Sequence, residues 1–288
     1  MKLVGILLVL VCTFGVYILV GGNIHIVLHA APHEGATILG SAIGAFLIAN
    51  SPTVIKHTLK SLNCIVKPEA HNKDSYIELL SMLYTVFKLA RTKGWLAMEQ
   101  HIENPHDSEL FKRFPKFAAN HHATAFLCDY LRIISLGNED PHKIGDLMDE
   151  ELETIHHENM HPSHAVQTMA DGIPALGIVA AVLGVIKTMA SISEPPEVLG
   201  GMIGSALVGT FLGVYVAYGF IGPTAGALGV KGESETQYYR AIKTSLIAFL
   251  NGAAPQVAVE FARKCLPHHV QPGFAELENK LNELPAPG

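Results

Sequence analysis

DGIPALGIVAAVLGVIKTMASISEPPEVLGGMIGSALVGTFLGVYVAYGFIGPTAGALGV, residues 171–230, is the stretch whose reading decides the fold. Two long apolar segments are joined by a short acidic link that contains Pro195 and Pro196, with almost no charge on either side. A hydrocarbon core about 30 Å thick needs about 20 apolar residues at about 1.5 Å rise per residue. Both arms approach that length when the first is started near Ala165, so the stretch predicts a membrane hairpin. Each arm also carries a proline at the end away from the link, Pro174 and Pro223. Proline weakens a helix and survives in a membrane only where neighbouring groups satisfy the freed backbone. The pair therefore points to a kink or a moving part.

Composition agrees with a membrane protein. Of 288 residues 49% are hydrophobic and only 16% charged, with a mean hydropathy of +0.30. A soluble domain carries about 25% charged residues. The formal net charge of −6 argues against a nucleic-acid partner, which would select a basic surface. Cys12, Cys64, Cys128 and Cys265 lie far apart with no paired spacing, so reduced structural thiols are expected.

Upstream of the hairpin, 3–20 is an uncharged run preceded only by Lys2. It is longer than a signal-peptide core and no Ala-x-Ala-like site ends it, so a retained first span is expected. Residues 21–34 hold His25, His29 and His33 but no Lys or Arg and read as an outer loop; 35–55 is a second uncharged run, closed by Lys56 and Lys60. The chain then becomes charged. Ser75 with Glu78 three residues on predicts a capping box, ahead of a helix with Ile77, Leu80, Leu83, Phe87 and Ala90 on one face and Gly94 at its end. Further helices are expected from Trp95 to Asn104-Pro105, over 117–135 and over 144–161. Beyond the hairpin, 238–266 reads as an amphipathic helix interrupted at 251–255, and 274–284 as a short amphipathic piece.

The expected architecture is an all-α membrane protein with four transmembrane helices. Residues 1–55 form spans 1 and 2 with a short periplasmic loop, 56–164 a helical cytoplasmic domain, 165–230 spans 3 and 4, and 231–288 cytoplasmic C-terminal helices. Of the 20 Lys and Arg, twelve lie between Lys56 and Lys143 and six between Lys231 and Lys280. The short segments 21–34 and 188–197 have none. By the positive-inside rule both termini and the large loop are cytoplasmic.

Small residues recur every four positions in the spans: Gly201, Ser205, Gly209, Gly213 and Ala217 in the fourth, Ala36, Gly40 and Gly44 in the second, Gly177 and Ala181 in the third. Such stripes let helix backbones approach closely. The membrane interior of these spans is expected to hold no Asp or Glu, since Asp171 sits at the cytoplasmic edge, and its only base is Lys187 near the outer edge. Ionisable groups inside a membrane mark ion paths, so a conducting function would need a carboxylate from another chain. Thr210, Tyr215 and Tyr218 are the remaining polar groups able to line a path, although a membrane threonine usually bonds its own helix carbonyl.

The clusters His25, His29, His33 and His156, His157, His161, His164 invite a metal reading. The topology puts them on opposite sides of the membrane and neither has a carboxylate or cysteine partner in a familiar motif, which favours solvated surface histidines and no metal. No nucleophile elbow, P-loop or dinucleotide turn is present, so neither an enzyme nor a cofactor is expected. Arg91, Lys93, Glu99 and Glu103 read as a solvated face or, beside Trp95, as a docking patch that steers a partner.

DGIPALGIVAAVLGV at 171–185, LVGTFLG at 207–213 and AYGFIGP at 217–223 resemble the MotA family of flagellar motor stator subunits, in the MotA/TolQ/ExbB proton channel superfamily. The resemblance continues through IENP at 102–105, MDEELE at 148–153, LNG at 250–252 and VEFARK at 259–264, nearly the whole chain. It implies an inner-membrane subunit, a pentamer in lipid, surrounding two helices of MotB, which supplies the membrane aspartate and a peptidoglycan anchor. It also implies roles: Pro174 and Pro223 in conformational coupling, Ala181, Thr210 and Tyr218 near the ion path, Arg91 and Glu99 in contact with the rotor protein FliG, and Glu151 as a further acidic position there. Sodium-driven relatives resemble this pattern with threonine at the positions of Ala181 and Gly209; here neither carries a hydroxyl, which implies protons. The three histidines of 21–34 depart from the family's pattern. A TolQ or ExbB energiser with three spans, a His-dependent membrane metalloenzyme and a structural tetraspan scaffold are the rival readings.

Overall fold

The computed structural model describes residues 2–63, 71–137 and 139–285. Among these, all regular structure is helical: α1 (Lys2–Leu19), α2 (Ile24–Ala49), α3 (Pro52–Asn63), α4 (Lys73–Lys93), α5 (His121–Ser135), α6 (Pro141–Met189), α7 (Pro196–Leu250), α8 (Pro255–Lys264) and α9 (Phe274–Asn282), with short turns of helix between α4 and α5. Helices α1, α6 and α7 are each long and apolar enough to cross a membrane. The chain divides into two compact units, Met1–Pro68 with Met160–Val230, and Glu69–Asn159 with Lys231–Gly288.

In the first unit, Ile38 and Ala42 of α2, Ile173 and Ala180 of α6 and Ala217 of α7 form one buried cluster. Lipid gives no hydrophobic drive for helices to associate, so close backbone approach and hydrogen bonds must hold them. Close approach is what the glycines provide. A Cβ on Gly177 would lie 2.9 Å from the Gly209 carbonyl oxygen and 3.0 Å from the Gly213 Cα. A Cβ on Gly184 would lie 2.7 Å from the Ala206 Cβ. Gly40, Gly44 and Gly201, by contrast, face open space within the subunit. Helix α1 leans on α7 through Phe14, edge-on to Phe211 and Tyr215, and the Tyr215 hydroxyl donates to the Val9 carbonyl at 3.3 Å. A second cluster joins Val166, Ala225 and Leu228 with Leu62 of α3. Beside it the Ser163 hydroxyl donates to the Ala225 carbonyl at 2.8 Å.

Three expectations for this unit are corrected. Residues 21–34 are not a loop: Asn23 caps α2 by accepting from the His25 amide, and the helix runs through His25, His29, Pro32, His33 and Glu34 to Ala49. The second uncharged run is not one helix to 55: α2 ends at Ala49, the backbone is extended at Asn50 and α3 starts at Pro52. Glu34 is consequently a carboxylate within a long helix beside α6 and α7, where no acid was expected. The helix expected over 144–161 is present but does not stop there, continuing into the third arm. Helix α6 runs unbroken for 49 residues through Pro162 and Pro174.

The second unit is organised around α4. Tyr76, Leu79, Leu80, Met82, Leu83, Val86 and Phe87 are almost fully buried, more than the single apolar face expected, because α4 is enclosed on several sides. Phe126, Leu127 and Leu131 of α5, Ile144 and Met148 of α6, Tyr238, Ile242 and Leu246 of α7, and Val259 of α8 complete this core. The cap of α4 is Asn72, which accepts from the Ser75 amide at 3.0 Å, rather than Ser75 itself. Glu78 reaches outward and accepts from the amides of Lys116 and Phe117, where a short helix starts and its donors need an acceptor. Gly94 ends α4 with φ +78°, a conformation that L side chains rarely adopt. The expected helix over 117–135 is split at Asn120, which caps α5. Cys128 is buried in this core, its thiol pushed up to about 12 and so kept protonated; Cys12 and Cys265 are exposed free thiols, and Cys64 lies outside the described residues.

Candidate functional site

The first candidate region is the seam where α2, α6 and α7 meet. A Cβ on Gly209 would lie 3.1 Å from the Ala181 amide nitrogen and 2.9 Å from the Glu34 Oε2. Ala181, Gly209 and Glu34 are thus brought together. Thr210 follows on α7 and is half-buried. Tyr218 stands apart from them and is 65% exposed. Tyr215 is not free to line a path, since its hydroxyl is held by Val9 and its ring lies against Phe14, Phe211 and Phe220.

The two prolines sit in different settings. Pro174 is half-buried in α6, and the carbonyl of its neighbour Ile173 lies against Gly213, 3.2 Å from where a Cβ would be. Pro223 is exposed, and just before it α7 makes a π-turn over Ala217–Ile221. Proline has no N–H to give the carbonyl four residues back, and its ring crowds that carbonyl. The helix accommodates this by winding wider, with the Gly222 amide donating to Ala217, five residues earlier. Tyr218 belongs to this turn.

The second region lies at the far end of α4. The Arg91 guanidinium donates to the Ala253 carbonyl at 3.0 Å, just beyond the end of α7, while remaining largely exposed. Glu99 lines a groove of about 430 Å³ with Leu89, Lys93, Leu96, His101 and Glu103. Burial holds the His101 imidazole below its usual value, and its Nδ1 lies 2.8 Å from the Ser108 hydroxyl, so the groove's charge rests on Lys93 against the two glutamates. Trp95 is half-buried, edge-on to Phe249, and acts as a wall of the core rather than an exposed anchor; Leu96 is 80% exposed instead. Glu151 is elsewhere, accepting from the Tyr130 hydroxyl at 2.7 Å. Burial and that carboxylate push the Tyr130 phenol well above its ordinary value. This arrangement makes Glu151 a brace between α6 and α5.

Among the described residues no group of three or more His, Cys, Asp or Glu side chains could hold a metal ion. Two histidines of the second cluster have single carboxylate neighbours, Glu233 at 4.0 Å from His156 and Glu153 at 3.7 Å from His157. The residue missed in the sequence is Glu34. Its signal was the four-residue spacing Ala30, Glu34, Ile38, Ala42, which puts the acid in line with three buried apolar positions. The surrounding histidines and Pro32 masked it.

Residues 3–94 match the family described as motility protein A N-terminal, and residues 118–241 match the MotA/TolQ/ExbB proton channel family. The chain is 39% identical over 285 residues to motility protein A of Salmonella typhimurium, covering 99% of this chain and 96% of that one. It is 30% identical to chemotaxis protein LafT of Vibrio parahaemolyticus, covering 98% of each. Among solved structures it resembles the C. jejuni MotAB complex (TM-score 0.72, 21% identity, 93% of this chain and 97% of that chain). It also resembles the flagellar MotAB stator complex of Bacillus subtilis (TM-score 0.69, 25% identity, 90% and 92%). The chain belongs to the motility protein A family and is a multi-pass membrane stator subunit of the flagellar motor, within the MotA/TolQ/ExbB proton channel family.

Proposed function

We propose that this subunit crosses a bacterial inner membrane four times, through α1, α2 and the apolar parts of α6 and α7, with both termini and the unit built on α4 in the cytoplasm. The segregation of Lys and Arg supports this orientation. Five copies surround two MotB helices in lipid, and MotB supplies the aspartate that takes and releases the ion. The similarity to MotAB complexes along the chain supports the MotB partnership. The match of residues 3–94, which include α1 and α2, to the motility protein A N-terminal family favours this reading over a three-span TolQ or ExbB energiser.

The coupling ion is the proton. The observation that carries this is the seam at Ala181 and Gly209: no hydroxyl is present, and a side chain on Gly209 would meet the Ala181 backbone at 3.1 Å and a carboxylate oxygen at 2.9 Å. The threonine pair of the sodium pattern does not fit here without spreading α6 from α7. Swimming speed is expected to be unchanged when sodium is replaced by potassium at constant proton-motive force, and to vanish with a protonophore. Loss of speed on sodium removal would overturn the assignment.

Torque passes to FliG through Arg91, bonded to Ala253 at the end of α4, and Glu99, which lines the groove, with Glu151 serving elsewhere as a brace through Tyr130. Arg91→Glu is expected to abolish swimming with the subunit still in the membrane at its normal level. The Arg91 bond to Ala253 contributes on the order of 1 kcal/mol, so the fold survives its loss. Motility in soft agar together with membrane immunoblots checks this, and a variant that is lost from the membrane would instead assign Arg91 a structural role. Pro174 and Pro223 relay the protonation of MotB into movement of the helices that carry these groups.

A further inference from the structure

Glu34 is the acid of the α2, α6, α7 seam. It falls in the stripe Ala30, Glu34, Ile38, Ala42, whose three apolar members are each at most 2% exposed. Its Oε2 lies 2.9 Å from where a Gly209 Cβ would be, and its Oε1 lies 3.8 Å from where a Gly184 Cβ would be. The carboxylate therefore reaches glycines on two helices at once, and the space it occupies exists because those positions lack side chains. The titratable or charged groups acting on it are His33 from its own helix and Lys187 from α6; α7 contributes none among the described residues. Glu34 is half-buried, ten residues into α2 and in line with apolar positions of that helix. Acids placed among the apolar residues of spanning helices mark ion pathways.

We propose that Glu34 is an ion-path residue contributed by this chain. Its carboxylate accepts a proton from water entering at the outer ends of α2, α6 and α7, becomes a neutral carboxylic acid, and gives the proton up along the Ala181 side toward the MotB aspartate, which restores its charge. The niche formed by Gly184 and Gly209 holds it in reach of both. This rests on the proton-channel reading above and adds a second acid, in this subunit, to the one MotB supplies.

The test uses the full chain expressed with MotB in cells. Rotation speed is measured at low load, where ion transfer limits it, against outer pH at constant proton-motive force. Glu34→Gln keeps the shape of the side chain and removes its proton exchange. Its speed is expected to fall about a hundredfold, the low side of what a positioned acid contributes to a proton transfer. The dependence on outer pH is expected to flatten, with membrane abundance and co-purification with MotB unchanged. Glu34→Asp, which keeps the acid, is expected to recover most of the speed. Glu34→Ala, which removes the acid and adds no atoms to the seam, is expected to behave like Glu34→Gln, and it decides the matter should Glu34→Gln not reach the membrane. Normal speed and pH profile in Glu34→Gln, or in Glu34→Ala where that variant decides, overturns the assignment. A purely structural Glu34 would lower the amount of complex and leave speed per assembled motor and its pH profile as they are. A wild-type motor that still turns after a protonophore sinks the proton-channel reading itself. One that stops, while Glu34→Gln turns normally, sinks only Glu34.

Discussion

Gly177→Leu is expected to eliminate the subunit from the membrane, and Gly177→Ala to leave a destabilised remnant. The reason is what stands opposite. The Gly209 oxygen and Gly213 Cα, at 2.9 and 3.0 Å from a Cβ on Gly177, are both backbone atoms, so neither can rotate out of the way as a side chain would. The reverse approach is as close, since a Cβ on Gly213 would lie 2.9 Å from the Gly177 Cα. Even one methyl group must therefore push α6 and α7 apart along the seam. Overpacking of a well-packed interior costs about 1–3 kcal/mol when side chains can shift, and rigid neighbours put Gly177→Ala at the upper end or beyond. In lipid the loss is not offset by hydrophobic burial elsewhere, because separated helices find equally apolar surroundings. Gly40→Ala is the control. Nothing lies within 4 Å of a Cβ there, so the subunit's own packing is expected to tolerate it. Protease resistance and abundance in membrane fractions would separate the two. Equal abundance of Gly177→Leu and wild type would mean that the seam does not hold the hairpin together.

That seam also shows what could be read from sequence and what could not. The stripe Gly209, Gly213, Ala217 was legible because a four-residue spacing is a property of one helix, and so were Gly94 as a helix end and the break at Asn251–Pro255, where local backbone preferences decide. Which stripe meets which is a tertiary matter. Gly177 and Gly213 touch, whereas Gly40 has the same composition and stands open. The same limit explains Ser75 and Glu78, whose spacing is that of a capping box. In the fold Asn72 caps the helix, and Glu78 serves the start of another helix 38 residues away. Glu34 was misplaced for a different reason. Polar residues at 25, 29, 33 and 34 gave the segment the character of a loop, yet the side chains fall on distinct faces of a helix, so only Glu34 among them joins the buried stripe. Tyr215 looked like a free polar group because its partner, the Val9 carbonyl, is 206 residues away.

Pro223→Ala is expected to stop rotation without removing the subunit from the membrane. Alanine restores the N–H that proline lacks and relieves the crowding of the preceding turn, a gain of about 3 kcal/mol in intrinsic helix preference. The wide turn at Ala217–Ile221 then loses its cause. A π-turn carries about one extra residue relative to an α-turn, so closing it rotates everything beyond it by about 100° relative to what precedes it. Two buried sets lie on either side of that turn. Ala217 packs with Ile38, Ile173 and Ala180, whereas Ala225 and Leu228 pack with Val166. The wide turn is what lets both sets face inward at once, so packing opposes its closure even when alanine favours it. On the coupling role proposed above for Pro223, the subunit stays folded with the turn biased toward one winding, and the helix movement that relays each transfer is held back. Pro174→Ala acts on the facing helix and is expected to add to the defect. Torque per stator measured on tethered cells is the deciding quantity, with membrane abundance as the control. A Pro174→Ala, Pro223→Ala double variant with wild-type torque would show that neither proline takes part in coupling, and that the wide turn only accommodates the ring of Pro223.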